Sequence, residues 1–380
     1  MPAYLHDILS LCFCVFVAVS LLQLAFWWGV FARLASFSDP GALRAGDMPG
    51  ASVVVCARNE AENLRRHLPA LLAQEYPGDW EVVIVDDASD DDTPAILRHF
   101  QEKHARLRVI RIREKVFPGK KHALAQGVAA ARFDHLFLTD ADCEPASARW
   151  LAHMASALTA KPETEIALGY GPVRASGGTC LDGWTRFETA HTAVQYFSFA
   201  LAGMPYMGVG RNLAWKRRVF DRTGGFSAHL DVPSGDDDLL VNAAATPANV
   251  AICLHPDAFV YSEGAGTWKT WFRQKRRHLS AGRRYRPLHQ FVLAMANMSH
   301  VLHYFLLAVL LAAGFGTITA VFFCLFRSFS LLYLYARILP KLREFRLLSQ
   351  VPIYDALLAA YYGAFVPISL IDHRHANKWK

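Results

Sequence analysis

From Ile8 to Leu34 the chain carries no charged side chain until Arg33, and a run of that length is enough to cross the hydrocarbon layer of a bilayer as one helix. A cleaved export signal is the competing reading. It lacks support, because a basic leader is missing (His6 and Asp7 stand in its place) and the run is too long for a signal core. A retained anchor over residues 1–34 is therefore expected. A second apolar region, Phe291 to Ile338, has Gly314 and Gly316 near its middle and suits two spans joined by a tight turn. Ile353 to Ile371 is a third candidate, giving a C-terminal membrane region at 288–372 of two to three helices. Hydrophobic residues make up 53% of the chain and charged residues 19%, as expected for a globular domain, 50–285, joined to membrane segments.

Basic residues near apolar spans mark the cytosolic side. Arg33 and Arg44 follow the first run. Lys269 to Arg286 holds eight Lys or Arg and no acid before the second, and Arg337, Lys341, Arg343 and Arg346 follow it. These flanks place the central domain in the cytosol. The basic tail "DHRHANKWK" fits that side only if the last apolar segment is re-entrant or interfacial, bent by Pro352 and Pro367. The net charge of +7 is largely carried by these flanks, and no nucleic-acid motif accompanies it, so no nucleic acid is expected as a partner. The seven cysteines form no Cys-x-x-Cys pair, which suits free thiols in a reducing compartment.

Within 50–285 the apolar pattern alternates between strand and helix. "SVVVCA", "WEVVIVDDAS", "RLRVIRI" and "HLFLTDAD" read as buried strands. "RNEAENLRRHLPALLAQEYP", "DTPAILRHFQEKH", "KKHALAQGVAAA" and "PASARWLAHMASAL" read as the helices between and after them. Asp92 or Thr93 is the expected cap of the second helix, with Pro94 in its first turn. Four such units predict a parallel α/β sheet covered on both faces. Ligands of such sheets collect at the carboxyl ends of the strands, and those ends carry Arg58-Asn59-Glu60, Asp86-Asp87 and Asp140-x-Asp142. Alone, Asp140-x-Asp142 fits either a strand-to-helix turn, with Pro145 in the helix's first turn, or a pair of oxygen ligands for a hard divalent cation. No Gly-rich dinucleotide or P-loop motif is present.

The segments "VVVCARNEAENL", "VIVDDASDDDT", "PGKKHALAQG", "LFLTDADCEP", "GVGRNLAWKRRVFDRTGGF", "SGDDDLLV" and "RQKRRH" follow one another in the order that resembles family 2 glycosyltransferases. These are inverting enzymes with the GT-A fold, a Rossmann-like nucleotide-sugar-binding domain, here flanked by transmembrane helices. The resemblance covers roughly Ala51 to Tyr285. It implies a nucleotide diphosphate sugar donor, a UDP-sugar in the first instance, with Arg58, Asn59 and Glu60 beside the nucleoside. Asp86 and Asp87, the latter favoured, would reach the base, and Lys120 would lie near the nucleotide. Asp140 and Asp142 match the DxD motif that holds Mg²⁺ or Mn²⁺, with Asp140 also able to meet the ribose. Asp237 takes the general-base position, with Asp236 before it and the register open by one residue. Gln274 and Arg277 match the family's QxxRW motif, but His278 replaces the Trp that processive synthases use at the acceptor end. Arg277 would hold pyrophosphate. The same segment also fits a basic stripe flanking the membrane.

The resemblance implies an inverting glycosyltransferase that moves a single sugar to a lipid or lipid-linked acceptor, integral to a membrane (a bacterial inner membrane being the expectation). A processive polysaccharide synthase and a non-catalytic nucleotide-sugar-binding scaffold are the alternatives. The long segment Leu181 to Gly203 is either a core helix or part of an acceptor wall.

Overall fold

The structure is a computed structural model that describes residues 2–39, 48–114, 119–230, 232 and 234–365. Arg44 and the basic tail lie outside the described residues. The chain divides into two compact units, one formed by the N-terminal stretch through Phe37 with the chain from Arg286 onward, the other beginning at Ser38 and ending at Tyr285.

In the first unit, α1 (Ala3–Phe26) runs through a π-helical turn (Trp27–Phe31) into α2 (Ala32–Ser36). Three helices of the described residues are long and apolar enough to cross a membrane: Ala3–Ser36, Pro287–Ala313 and Thr317–Ile338. The last two are connected through Gly314 and Gly316, at φ 64° and 59°, a left-handed backbone that glycine adopts without steric cost. The expected third C-terminal segment is helical over Val351–Ala360, with Pro352 in its first turn, and continues as a π-helical turn over Tyr361–Phe365; the remainder of that expectation lies outside the described residues.

The second unit is built on a seven-stranded sheet. Its first four strands, β1 (Ala51–Ala57), β2 (Trp80–Asp87), β3 (Leu107–Ile112) and β4 (His135–Asp140), alternate with α3 (Ala61–Leu72), α4 (Thr93–Lys103) and α5 (Lys121–Ala130). These four strands are parallel to one another. Every residue of β1 and β2 is buried, as unbroken β-branched runs covered on both faces require.

The sheet is not parallel throughout, and here the expectation is corrected. After β5 (Cys143–Pro145), α6 (Trp150–Leu158), β6 (Ile166–Gly169) and α7 (Cys180–Leu201), the chain enters β7 (Leu213–Lys216), which lies antiparallel between β4 and β6. The order is β3-β2-β1-β4-β7-β6-β8, with β8 (Val250–Cys253) parallel to β6. Pro145 is also not in a helix. It ends β5, which pairs with β9 (Val260–Ser262) in a separate two-stranded sheet. The short helices α8 (Arg217–Arg222) and α9 (Asp238–Ala244) and the longer α10 (Trp268–Leu279) complete this unit. Asp92 occupies the cap position of α4 but makes no side-chain cap bond; Asp91 does that work, accepting from the Thr93 N–H at 2.9 Å. Buried Asn212 ties the layers together. Its amide donates to the Tyr170 and Ala258 carbonyls at 2.8 Å and accepts from the Trp150 indole at 2.9 Å, which satisfies a polar group that would otherwise be costly inside the core.

Candidate active site

Strand register sets the rim. Ala57 pairs with Asp86 and Cys56 with Asp140, so the residues after β1, β2 and β4 leave the sheet at one level. Because β7 runs the other way, with Leu213 paired to Leu138, its beginning reaches the same edge and delivers Arg211. The sequence reading passed over Arg211; its position in "GVGRN" just ahead of an antiparallel strand was the available signal.

The first two loops at this rim brace each other. Asn59 and Ala88 both adopt φ 55°. The Asn59 N–H donates to Ser89 Oγ and its side-chain oxygen accepts from the Asp90 N–H, both at 3.0 Å. The Glu60 N–H donates to Thr93 Oγ1 at 2.8 Å, while its carboxylate accepts from the Asn63 side chain at 2.5 Å. Asp86 accepts from the Ser89 N–H at 3.1 Å and lies 3.6 Å from Arg111, so it holds its own turn. Asp87 is fully buried at the end of β2. Arg58 keeps its Nε buried without a hydrogen-bond partner among the described residues.

The charged centre lies beyond these loops. Lys120, at the start of α5, is ion-paired with Asp140 and sits 3.7 Å from Asp236 Oδ2. Burial opposes the charge on Lys120, but Asp140 and Asp236 outweigh it and hold the ammonium protonated well above the usual lysine range. Burial would likewise raise Asp140, yet Lys120, with help from Arg211 and Arg277, keeps its carboxyl below the usual range. Asp142, partly exposed in the turn after β4, offers a second carboxylate. Ligand-capable atoms of Asp140, Asp142 and Cys143 lie within 4.8 Å of one another. The Cys143 thiol is pushed well above its ordinary value by burial and by Asp142 and Asp140 and contacts Asp142 Oδ1 at 3.5 Å; the two carboxylates are the hard oxygen donors of this group. Two carboxylates at a solvent-reaching rim fit a hard divalent cation of the Mg²⁺ or Mn²⁺ kind.

Asp236 and Asp237 precede α9. Asp237 accepts from the Gly210 N–H at 2.5 Å and from the Asp238 N–H at 2.8 Å. A Cβ on Gly210 would lie 3.0 Å from Asp237 Oδ2, so glycine is what allows this backbone to approach the carboxylate. Burial, then repulsion from Asp236, raise the Asp237 carboxyl to about 6. Asp238 accepts from the Tyr285 hydroxyl at 2.7 Å and is raised further, to about 8, by burial and by Asp237.

Helix α10 carries the remaining candidates. Thr267 caps it by accepting from the Thr270 N–H at 3.2 Å. Trp271 is buried, whereas Trp268 and Phe272 are exposed. Ser234 Oγ donates to the Arg277 carbonyl at 2.9 Å, which ties the helix's end to the segment two residues before Asp236. Gln274 and Arg277 share a helix face at spacing i, i+3, and Arg277 lies 3.2 Å from the ring of exposed His278. Lys275 is paired with Glu188 of α7, a helix whose residues are mostly buried.

Two family models match the chain. Residues 52–191 fit glycosyl transferase family 2, and residues 149–365, more than half of the chain, fit glycosyl transferase family group 2. The probable glycosyltransferase YdaM of Bacillus subtilis is 26% identical over 240 residues, covering 61% of this chain and 54% of that protein. The beta-monoglucosyldiacylglycerol synthase of Synechocystis is 28% identical over 243 residues, 62% of this chain and 48% of that protein. The chain thus spans about half the length of these curated relatives. A mannosyltransferase from Pyrobaculum calidifontis, solved with GDP-Man and Mn²⁺, shares the fold at a TM-score of 0.60 and 21% identity, covering 93% of this chain and 99% of that one. The chain belongs to the family 2 glycosyltransferases and has their GT-A fold.

Proposed function

We propose that the chain is an inverting glycosyltransferase that moves one sugar from a nucleotide diphosphate sugar to a lipid or lipid-linked acceptor at a membrane. The observation that carries this reading is the charge constellation at the rim. Lys120 is placed between Asp140 and Asp236, and the charges of Arg211 and Arg277 also act on Asp140. An anionic diphosphate finds cations there, beside carboxylates suited to a proton acceptor. Asp140 and Asp142 would hold the divalent ion, whose contribution when bound is to stabilise charge on the departing diphosphate. Arg211, Arg277 and Lys120 supply the remaining positive field for the leaving group. Asp237, held by two backbone N–H groups, accepts the proton of the attacking hydroxyl. That oxygen bonds to the anomeric carbon from the face opposite the leaving phosphate, the bond to the diphosphate breaks with its electron pair, and configuration inverts.

The lipid-type acceptor is supported by the helices long and apolar enough to span a bilayer and by the similarity to the Synechocystis protein, a beta-monoglucosyldiacylglycerol synthase by name. The basic flanks favour a cytosolic catalytic unit. His278, in place of the Trp of processive synthases, favours one added sugar per acceptor. Membranes containing the chain, incubated with labelled sugar donors, UDP-sugars first, should yield one labelled lipid species by mass spectrometry. A ladder of growing length would replace this reading with processive synthesis, and donor consumption with no lipid product would remove the acceptor class. Asp142→Asn should abolish most transfer and the metal dependence of donor binding. Donor titrations with and without Mn²⁺ check this, and an unchanged metal dependence would reject the assignment.

A further inference from the structure

A second cluster of ligating side chains lies apart from the charged rim. His153 stands one turn into α6, and His255 and Asp257 belong to the segment that leads into β9. Ligand-capable atoms of the three lie within 4.8 Å of one another. The imidazole rings stack, with centroids 3.9 Å apart and 10° between their planes. His153 is only 6% exposed, and its Nε2 is buried with no hydrogen-bond partner among the described residues. The nearest carboxylate, Asp257 Oδ2, is 3.9 Å away, too far for a hydrogen bond. A buried polar nitrogen without a partner is costly and calls for an explanation, an ion among them.

We infer that His153, His255 and Asp257 form a site for a borderline divalent transition ion of the Zn²⁺ or Co²⁺ class, separate from the Asp140–Asp142 pair. The two donor sets differ in kind. Two imidazoles and one carboxylate suit Zn²⁺ and leave a fourth position for water, whereas the rim offers oxygen to a harder cation. The segment is well anchored for such a role. Ser147 Oγ donates to the Asp257 carbonyl at 3.0 Å, Arg149 pairs with the Asp257 carboxylate, and the Leu254 N–H donates to Asp39 at 2.6 Å, adding a further acid nearby.

One movement is required. Parallel rings aim their lone pairs side by side, not at a common point. His255 is only half buried, and its Nδ1 accepts a long 3.2 Å bond from the Asp257 N–H. Turning that ring exchanges this bond for one to the ion and lets the donors converge. Occupancy would then clamp α6 to the segment before β9. Strand β9 pairs with β5, which begins one residue after Asp142, so the clamp would stiffen the strand pair behind the rim.

The test uses the full chain in detergent, with any affinity tag removed, stripped with a chelator and titrated with Co²⁺ and then Zn²⁺. The Asp140→Asn/Asp142→Asn protein, which lacks the rim pair, should still bind a single Co²⁺ per chain with strong visible d–d bands that Zn²⁺ abolishes. Zn²⁺ should also raise its Tm. Adding His255→Ala should weaken Co²⁺ by at least about 100-fold, since losing even an outer-sphere partner of a metal ligand costs roughly 10- to 100-fold. His255 is half exposed, so this variant should keep its metal-free Tm and circular dichroism. His153→Ala should give the same loss if it folds; otherwise His255→Ala decides. Absence of Co²⁺ binding in the rim-deficient protein, or binding unchanged by His255→Ala, would overturn the site.

Discussion

Asp236 and Asp237 are adjacent in the chain but sit in different electrostatic surroundings. Asp236 lies 3.7 Å from the Lys120 ammonium. Asp237 receives two backbone N–H bonds, which favour its carboxylate, but burial and then its neighbour's charge bring its carboxyl to about 6. A proton acceptor works best when its pKa lies near the operating pH, and this favours Asp237 as the base. Asp237→Asn should keep donor binding and lower kcat by about 10²- to 10⁴-fold; a mild Asp237→Asn beside a severe Asp236→Asn would move the base by one residue. Protonation removes an acceptor, so kcat/KM of the unaltered enzyme should fall as pH drops through about 6 and level off above it. The residue missed in the sequence, Arg211, makes a sharper case for the leaving-group side. Its Nε donates to the Gly171 carbonyl at 2.9 Å, and its charge adds to that of Lys120, as does Arg277, in lowering the Asp140 carboxyl against burial. Arg211→Gln should weaken inhibition by the nucleoside diphosphate product roughly 10- to 100-fold, the worth of one charge-assisted hydrogen bond. Unchanged inhibition would remove Arg211 from the site.

At the level of elements, legibility followed periodicity. β1 to β4 and the helices between them were readable because long β-branched runs alternate with helical ones, and Asp140 and Asp142 stood out because parallel strands present their carboxyl ends to ligands. β7 was not readable as a strand. "LAWK" is too short to carry a period, and nothing local states its direction, which depends on pairing with β4 and β6. Arg211 was missed for that reason. Asp86 and Asp87 are alike in the sequence, and only the fold separates them: Asp86 accepts from the Ser89 N–H and holds the β2 turn, a contact that no local pattern announces. α10 fits two readings: Trp268 and Phe272 are exposed, and the end of the helix is tied through the Arg277 carbonyl to Ser234, just before the acidic segment. Arg277→Lys separates them. A guanidinium fork on pyrophosphate is not reproduced by an ammonium, whereas a membrane-flanking charge is indifferent to which cation bears it. Arg277→Lys should therefore reduce transfer at least about tenfold, while Arg283→Lys and Arg284→Lys remain close to wild type in the same lipid-product assay. A fully active Arg277→Lys enzyme would leave only the membrane role.

Taken as a whole, the molecule treats charge differently in its two units. The rim of the globular unit leaves Asp140 partly solvated, its side chain 36% exposed. The helical unit seals an ion pair completely: Arg327 of α12 (Thr317–Ile338) and Asp355 of α13 (Val351–Ala360) have side chains 1% exposed and meet at 2.6 Å. Tyr304 of α11 (Pro287–Ala313) donates to the same carboxylate at 2.7 Å, His300 meets the Asp355 carbonyl at 2.9 Å, and Arg327 donates to Gln23 of α1 at 3.2 Å. One polar network thus joins the N-terminal helix to all three later ones. In the sequence these residues are isolated breaks in apolar runs, with no local pattern to pair them. A sealed pair is costly to break from one side, because the survivor is an uncompensated buried charge. Arg327→Met alone or Asp355→Leu alone should each destabilise the helical unit by about 3–5 kcal/mol. The double variant leaves no unpaired charge and should be less damaging than the sum of the two. Unfolding of the purified chain in detergent, carried through the double-mutant cycle, measures the coupling. Simple additivity of the two losses would show that Arg327 and Asp355 do not act as a pair.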